Sequence, residues 1–256
     1  MSAQLVSLSA KQDAVASALD ALVESGIACR DMQQGFRKAI LTALCVEQLK
    51  AALTSEVMQP IMALQGSSLG FRTDKDSQGG YPLNVVREAL ISAVMVGVMP
   101  CGNQFNVIGG RMYVTKEGFT YLLDKAGVKY TIDQAVPVMK TGGAIVATVV
   151  RWTFGKEKGE KHLDIPVRVN NGMGTDAILG KADRKAKCWL YNNLLHAQIA
   201  DGDADAAEMR DVTPATKDPS FLPHQRVGCA DAVAPSGELF AQKEVSTPNF
   251  GRACND

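Results

Sequence analysis

The feature that most constrains the fold is a run of alternating residues near the middle of the chain. Residues 144–154 (AIVATVVRWTF) give the strongest strand pattern, because β-branched and aromatic side chains recur there. Further strands are predicted at residues 129–139 and 162–169, beyond a turn at 141–143 and a charged turn at 155–160 (GKEKGE). These connections are too short for crossover helices, so the three strands are predicted to form an antiparallel meander.

A second β signal precedes the meander. Two short alternating runs at residues 105–108 and 111–114 flank the dipeptide Gly109-Gly110, which is typical of a hairpin turn. Thr115 is then predicted to cap a helix over residues 116–125. The sequence therefore predicts a hairpin followed directly by a helix.

Helical periodicity dominates the first part of the chain. Apolar residues recur at three-to-four spacing over residues 9–56, with Ser9 as the expected cap and Gly26 as an interruption. Pro60 is expected to stop or kink the second helix. Residues 65–81 are rich in Gly, Ser and Asp, and they are predicted to be an exposed loop.

Two further helices frame the β region. Pro82 opens an apolar-faced helix over residues 83–97, and a long helix is predicted over residues 177–200. The long helix is basic and carries four cations, Lys181, Arg184, Lys185 and Lys187. The predicted fold class is α+β: a hairpin and a three-stranded antiparallel meander packed with helices, extra N-terminal helices, and a disordered C-terminal tail.

Charge is unevenly distributed along the chain, although the whole has 27 basic and 27 acidic side chains. Residues 111–187 hold 14 basic against 8 acidic side chains, whereas residues 188–256 hold 5 against 10. Segregation of this kind favours a polyanion as the partner of the basic segment. Chance clustering on solvated faces would give the same counts, so the charge pattern alone does not decide.

Composition and motifs exclude several classes of protein. The six cysteines are scattered without a C-x-x-C pair, as in reduced cytosolic proteins, and no apolar run is long enough for a membrane span. The stretch from Gly174 to Lys181 fails as a phosphate loop, because five residues separate its glycines and Ala182 follows the lysine. No motif demands catalysis, and we expect neither an enzyme nor a metal site.

The signal that remains is a set of cations and aromatic residues on neighbouring elements. Lys181, Lys185 and Trp189 are spaced by four, so they share one face of the long helix. Like charges at that spacing repel, which favours a polyanion opposite them, although a solvated helix face is the simpler alternative. Aromatic side chains stack on bases in single-strand-binding proteins, but core packing is an equally simple role for Trp152 and Trp189.

From Pro82 to about Met209 the chain resembles the RecT/Redβ-type single-strand DNA annealing proteins of phages, both in the order of its predicted elements and in local patterns. The local patterns are the A-x-x-x-G-V-x-P end of a helix (residues 93–100), the N-Q-F-N strand (103–106), the G-R-M-Y-V-T-K-E-G-F block (110–119) and the A-D-R-K-A-K-C helix (182–188). The resemblance covers about half of the chain and matches only part of that family's basic cluster. Residues 9–60 have no counterpart in it.

The resemblance implies ATP-independent annealing of complementary DNA strands by a homo-oligomeric ring or helical filament. Lys181, Arg184 and Lys185 would hold phosphates, and Asn103, Gln104, Arg111 and Lys116 would lie on the opposite wall of a groove. Together with the cations and aromatics on these elements, the full set of expected DNA-binding residues is Asn103, Gln104, Arg111, Tyr113, Lys116, Arg151, Trp152, Lys181, Arg184, Lys185, Lys187 and Trp189. No cofactor is expected, apart from Mg²⁺ acting on the DNA without a defined site.

Three regions are expected on this basis. Residues 1–81 would be an N-terminal helical region for oligomerisation, residues 82–210 the annealing core, and residues 211–256 a disordered acidic tail. The expected partners are single-stranded DNA and the annealed duplex, with an exonuclease or a host single-strand-binding protein at the tail. The expected location is the cytoplasm of a bacterial host, at the nucleoid. Two alternatives stay open: a single-strand nucleic-acid binder that does not anneal, and a structural assembly protein.

Overall fold

Three helices form the N-terminal part of the protein in a computed structural model. The model describes residues 10–170, 172–197, 199 and 210–211. The helices are α1 (Ala10–Asp31), α2 (Phe36–Ala52) and α3 (Ser55–Met62). The helical prediction for this region is confirmed, while the expected cap at Ser9 lies outside the described residues.

Two details of the N-terminal helices differ from the prediction. Gly26 does not interrupt α1, which continues through it to Asp31. A Cβ on Gly26 would lie 2.7 Å from the Met95 sulfur, so this glycine lets α1 lie close to the helix over residues 83–96. Pro60 does not end α2, since that helix already ends at Ala52. The proline lies inside α3, which Thr54 caps by accepting a hydrogen bond from the Val57 N–H at 3.4 Å.

The segment 65–81 is only partly the exposed loop that its composition predicts. Phe71 is fully buried and stacks on Phe105 with the ring centroids 5.1 Å apart. Beside it the chain runs parallel to the first strand, because the Val107 N–H donates to the Arg72 carbonyl at 2.9 Å and the Asp74 N–H donates to the Val107 carbonyl at 3.3 Å. Composition missed this pairing because the exposed residues Arg72 and Asp74 alternate with buried Phe71 and half-buried Thr73.

The helix–hairpin–helix unit is confirmed in order and in register. Helix α4 (Leu83–Val96) ends at Gly97, whose φ of 98° is left-handed. Strands β1 (Phe105–Ile108) and β2 (Arg111–Val114) pair antiparallel around Gly109-Gly110, both with positive φ. Helix α5 (Lys116–Lys125) follows, and the Thr115 hydroxyl caps it by accepting the Gly118 N–H at 3.1 Å.

The meander forms a second, antiparallel sheet. Its strands are β3 (Lys129–Gln134), β4 (Val138–Lys140), β5 (Gly143–Phe154), β6 (Glu157–Arg168) and the two-residue β7 (Arg210–Asp211), ordered β3-β5-β6-β7 with β4 also on β5. The strand predicted over 129–139 is two strands, separated by a break that contains Pro137, which has no N–H to donate. The turn predicted over 155–160 shortens to Gly155-Lys156, because residues 157–160 already belong to β6.

Helix α6 (Thr175–Leu195) completes the α+β fold. It ends earlier than predicted, since His196 adopts a left-handed φ of 50° just after Leu195. Helices α1 to α6 and both sheets contribute to a single apolar cluster that extends from Val23 to Tyr191. Among the residues that the structure describes, no helix has the length and apolar character that a bilayer crossing requires. The expected tail, apart from Asp211 in β7, lies outside those residues.

Candidate nucleic-acid interface

The β1–β2 hairpin has one buried face and one face turned away from the core. Phe105, Val107 and Val114 are buried on the inner side. The register pairs Asn106 with Tyr113 and Ile108 with Arg111, so these side chains share the opposite side. We call this side the outer face of the hairpin, and it comprises Asn106, Ile108, Arg111 and Tyr113. Arg111 is exposed at its tip.

Helix α6 meets the outer face through a cation–π contact. The Arg184 guanidinium carbon lies 4.3 Å from the centroid of the Tyr113 ring. Arg184 is only 5% exposed, so the contact is largely withdrawn from water. The structure thus brings together two predicted site residues that are far apart in sequence, and it places a buried positive charge against the hairpin.

Arg72 joins the same surface, although it is not among the residues predicted from the sequence. Thr73 forms a parallel bridge with Val107 and therefore points to the inner side, so Arg72 lies on the outer side. Its backbone N–H donates to Asn106 Oδ1 at 3.2 Å, and its guanidinium donates to the Gly66 carbonyl at 2.8 Å. The only sequence signal for this placement is the short alternation of residues 71–74.

The basic row of α6 is not the solvent-facing stripe that its spacing predicts. Lys185 is 2% exposed, and together with Arg184 it lies inside the protein. Lys181 is half-buried and donates to the Arg168 carbonyl at 3.2 Å. Lys187 is 2.8 Å from Asp183 and lies over the Tyr130 ring. The expected exposure is therefore wrong for Arg184 and Lys185, while contact of these residues with DNA stays a prediction.

The position of α6 explains this burial. On one side Trp189 meets Trp152 of β5 edge to face, with the centroids 5.9 Å apart. On another side Tyr191 packs against Phe119 of α5, with the centroids 6.3 Å apart. Because α6 lies between β5 and α5, two of its sides are covered, and positions that would be exposed on a helix with one neighbour are buried. Helical periodicity cannot reveal how many neighbours a helix has.

Arg151 and Trp152 lie on opposite faces of the sheet, as successive strand residues must. Arg151 is on the exposed face, between Glu160 at 2.7 Å and Asp133 at 2.5 Å. The hydrogen bonds that its guanidinium donates to Glu160 and to Asp133 raise the pKa of Arg151 above its ordinary value. Its charge is already matched by two carboxylates, which makes it a poor candidate for binding phosphate although it is exposed.

The two tryptophans have a structural role in this arrangement. The Trp152 ring lies across Gly159 on β6, where an added Cβ would be 2.2 Å from the ring. Both rings are half-buried, and their contact joins β5 to α6. Core packing is therefore observed for this pair, and stacking on bases stays a prediction for their exposed edges.

The remaining predicted residues lie just before β1 and at the start of α5. The Asn103 carbonyl accepts the Thr115 hydroxyl at 2.5 Å, and Gln104 Oε1 accepts the Met99 N–H at 2.9 Å. Asn103 adopts a left-handed φ of 53°. Lys116 is exposed at the start of α5, 3.8 Å from Glu117. Asn103 and Gln104 thus position the hairpin and the α5 cap, while Lys116 remains accessible.

A cleft of about 450 Å³ opens beside β2. It is lined by Met112, Tyr113 and Val114 on one side and by Arg30 and Lys38 on another. Arg30 donates to the Val96 carbonyl at 2.7 Å and to the Tyr191 hydroxyl at 2.9 Å, and Lys38 donates to the Arg30 carbonyl at 2.7 Å. These two cations therefore stabilise the ends of α1 and α4 at the rim of the cleft.

In the described part of the chain, no three His, Cys, Asp or Glu side chains come together as metal ligands would. Its four cysteines, Cys29, Cys45, Cys101 and Cys188, are free thiols.

Comparison with known proteins identifies no relative of this chain. The chain matches no protein-family model, no curated protein and no solved structure. Its likeness to the phage annealing proteins therefore depends on the local patterns and on the order of the helices and strands.

Proposed function

We propose that this protein binds single-stranded DNA and anneals complementary strands without ATP. The observation that carries the proposal is the contact between Arg184 and Tyr113, which joins the basic helix to the outer face of the hairpin. Arg111 and Arg72 lie on the outer face through strand pairing, and the contact adds Arg184 against it, although the three arginines are far apart in the sequence.

The chemistry of this surface suits a phosphate backbone. Guanidinium groups bind phosphate through two parallel hydrogen bonds, and each phosphate neutralised releases counterions from the DNA. The salt bridge between Arg72 and Asp76 is long, at 3.6 Å, and both partners are partly exposed. Such a pair is weak in water, so a phosphate can replace the carboxylate at little cost.

The structure changes which residues we assign to the interface. Arg111, Lys116 and Arg72 are accessible and would contact phosphates directly. Arg184 and Lys185 are buried, so Arg184 would act indirectly, by holding Tyr113 and the hairpin in place, and direct contact of either residue with phosphate is no longer part of the proposal. We place Arg151 outside the interface.

Annealing itself is inferred from the resemblance to phage annealing proteins. A surface that holds the backbone through cations leaves the bases free to pair. Because base pairing of complementary strands is itself favourable, annealing needs no nucleotide hydrolysis. The ring or filament, the tail-bound exonuclease or host single-strand-binding protein, and the location at the host nucleoid are further parts of this proposal. Neither an enzymatic activity nor a resident cofactor is part of it.

The interface is tested by measuring DNA binding over a salt series. Arg111→Ala removes an exposed cation from the outer face, whereas Lys156→Ala removes one from the β5–β6 turn and serves as the matched control. Fluorescence anisotropy with a labelled oligonucleotide should show weaker binding for Arg111→Ala. The slope of log K against log salt should fall by about 0.7 for each phosphate of the single strand that the variant no longer neutralises. Equal slopes for the two variants would remove Arg111 from the interface.

A further inference from the structure

Helix α2 has a second apolar face that points away from the core. Its inner side is buried through Cys45 and Leu49. On its outer side Phe36 is 89% exposed, Ile40 58% and Leu44 47%. Their spacing of four residues makes a continuous row, which we call the α2 ridge. Three large apolar side chains in one exposed row are typical of an interaction surface rather than of scattered surface residues.

The ridge is bordered by small residues that could receive a similar ridge. Ala39 and Ala43 are exposed and lie one position before Ile40 and Leu44. Helices pack by placing a row of large side chains into the shallow groove between rows. A helix that presents a ridge beside a shallow row is therefore complementary to a copy of itself.

The charges on the same face indicate the direction of such pairing. Arg37 near the start of the helix and Glu47 near its end are both exposed, and neither forms an ion pair with another described residue. An antiparallel two-fold arrangement places Arg37 of one copy opposite Glu47 of the other. The same arrangement places Ile40 of one copy opposite Leu44 of the other. Both pairs have their midpoint at the level of Thr42, so a single two-fold axis at that level relates both. A parallel arrangement would bring like charges together.

We propose that α2 pairs antiparallel with α2 of a second copy of this chain, so that the α2 ridge is buried at a two-fold interface. Arg37 and Glu47 exchange two salt bridges across the axis, as an isologous interface requires. This interface is separate from the outer face of the hairpin, and it does not depend on DNA. It also differs from the head-to-tail contacts that close a ring.

Sedimentation equilibrium of the full chain without DNA tests the proposal. Ile40→Asp should shift the dimer to monomer, with a dissociation constant raised about tenfold or more. Leu69→Asp is the matched control, since Leu69 is 76% exposed and lies outside the helices. It should leave the dimer unchanged. A wild-type chain that is monomeric at all concentrations, or equal effects of the two variants, would overturn the proposal.

Charge exchange tests the antiparallel axis separately. Arg37→Glu alone should weaken the dimer about three- to tenfold through two repulsive pairs. The double variant Arg37→Glu with Glu47→Arg should restore it, because each new arginine meets a new glutamate across the axis. If the double variant stays as weak as Arg37→Glu, the antiparallel two-fold interface is wrong. Both results are independent of DNA binding.

Discussion

Replacing Tyr113 with leucine should destabilise the protein by removing the ring on which Arg184 lies. The guanidinium carbon is 4.3 Å from the ring centroid, and Arg184 is 5% exposed. Cation–π contacts contribute about 0.5–1 kcal/mol in water and about 2 kcal/mol when desolvated. Because this pair is largely desolvated, we expect a coupling free energy of about 1–2 kcal/mol.

A double-mutant cycle isolates that coupling. The free energy of unfolding is measured in urea for the wild type, Tyr113→Leu, Arg184→Met and the double variant. Arg184→Met keeps the length of the apolar stem, and Tyr113→Phe serves as the control that keeps the ring. Phe in place of Tyr113 should preserve most of the coupling.

Additivity would refute the reasoning. If the two single effects sum to the double effect within about 0.3 kcal/mol, the ring and the guanidinium do not stabilise one another. The same result would weaken the assignment of Arg184 to the interface, because the contact is what places it against the hairpin.

Two further predictions concern single sites. Gly118→Ala should destabilise the protein by about 1–3 kcal/mol, because an added Cβ would lie 2.0 Å from the Gln104 carbonyl oxygen. Gly180→Ala should instead stabilise the protein by about 0.5–1 kcal/mol, because a Cβ added there would meet no neighbouring atom within 4 Å. Thermal unfolding of the two variants distinguishes these outcomes. A hydrogen bond from the Gly109 N–H lowers the pKa of Asp74 in the folded protein. The ionised carboxylate therefore contributes to stability above the ordinary aspartate pKa, and this contribution is lost as the pH falls through the lowered pKa of the folded state. Asp74→Asn should therefore be less stable than the wild type at pH 7, and urea unfolding at decreasing pH should show the difference shrinking; a pH-independent difference would contradict this.

Local patterns predicted the elements that depend on local chemistry. The register of β1 and β2 follows from alternation around Gly109-Gly110, because two left-handed glycines are what a tight hairpin needs. The cap at Thr115 and the antiparallel order of β5 and β6 follow in the same way. Pro137 could also have been used to split the strand predicted over 129–139, since a proline seldom lies inside a ladder.

The candidate site was less predictable because its residues depend on long-range packing. The spacing of Lys181 and Lys185 shows that they share a face, but not that α6 lies between a sheet and α5. Arg72 reaches the outer face through pairing with β1, which composition does not indicate. The separation of Arg151 from Trp152 was available from the sequence, because neighbouring strand residues always point to opposite faces.

Strand annealing in the absence of ATP tests the central claim most directly. The purified protein is mixed with two complementary oligonucleotides over a salt series, and duplex formation is followed by quenching between labels on the two strands. We predict faster duplex formation than in buffer, with the acceleration reduced by Arg111→Ala and unaffected by Lys156→Ala. Binding without acceleration would indicate a single-strand binder that does not anneal, and neither binding nor acceleration would contradict the proposed function altogether.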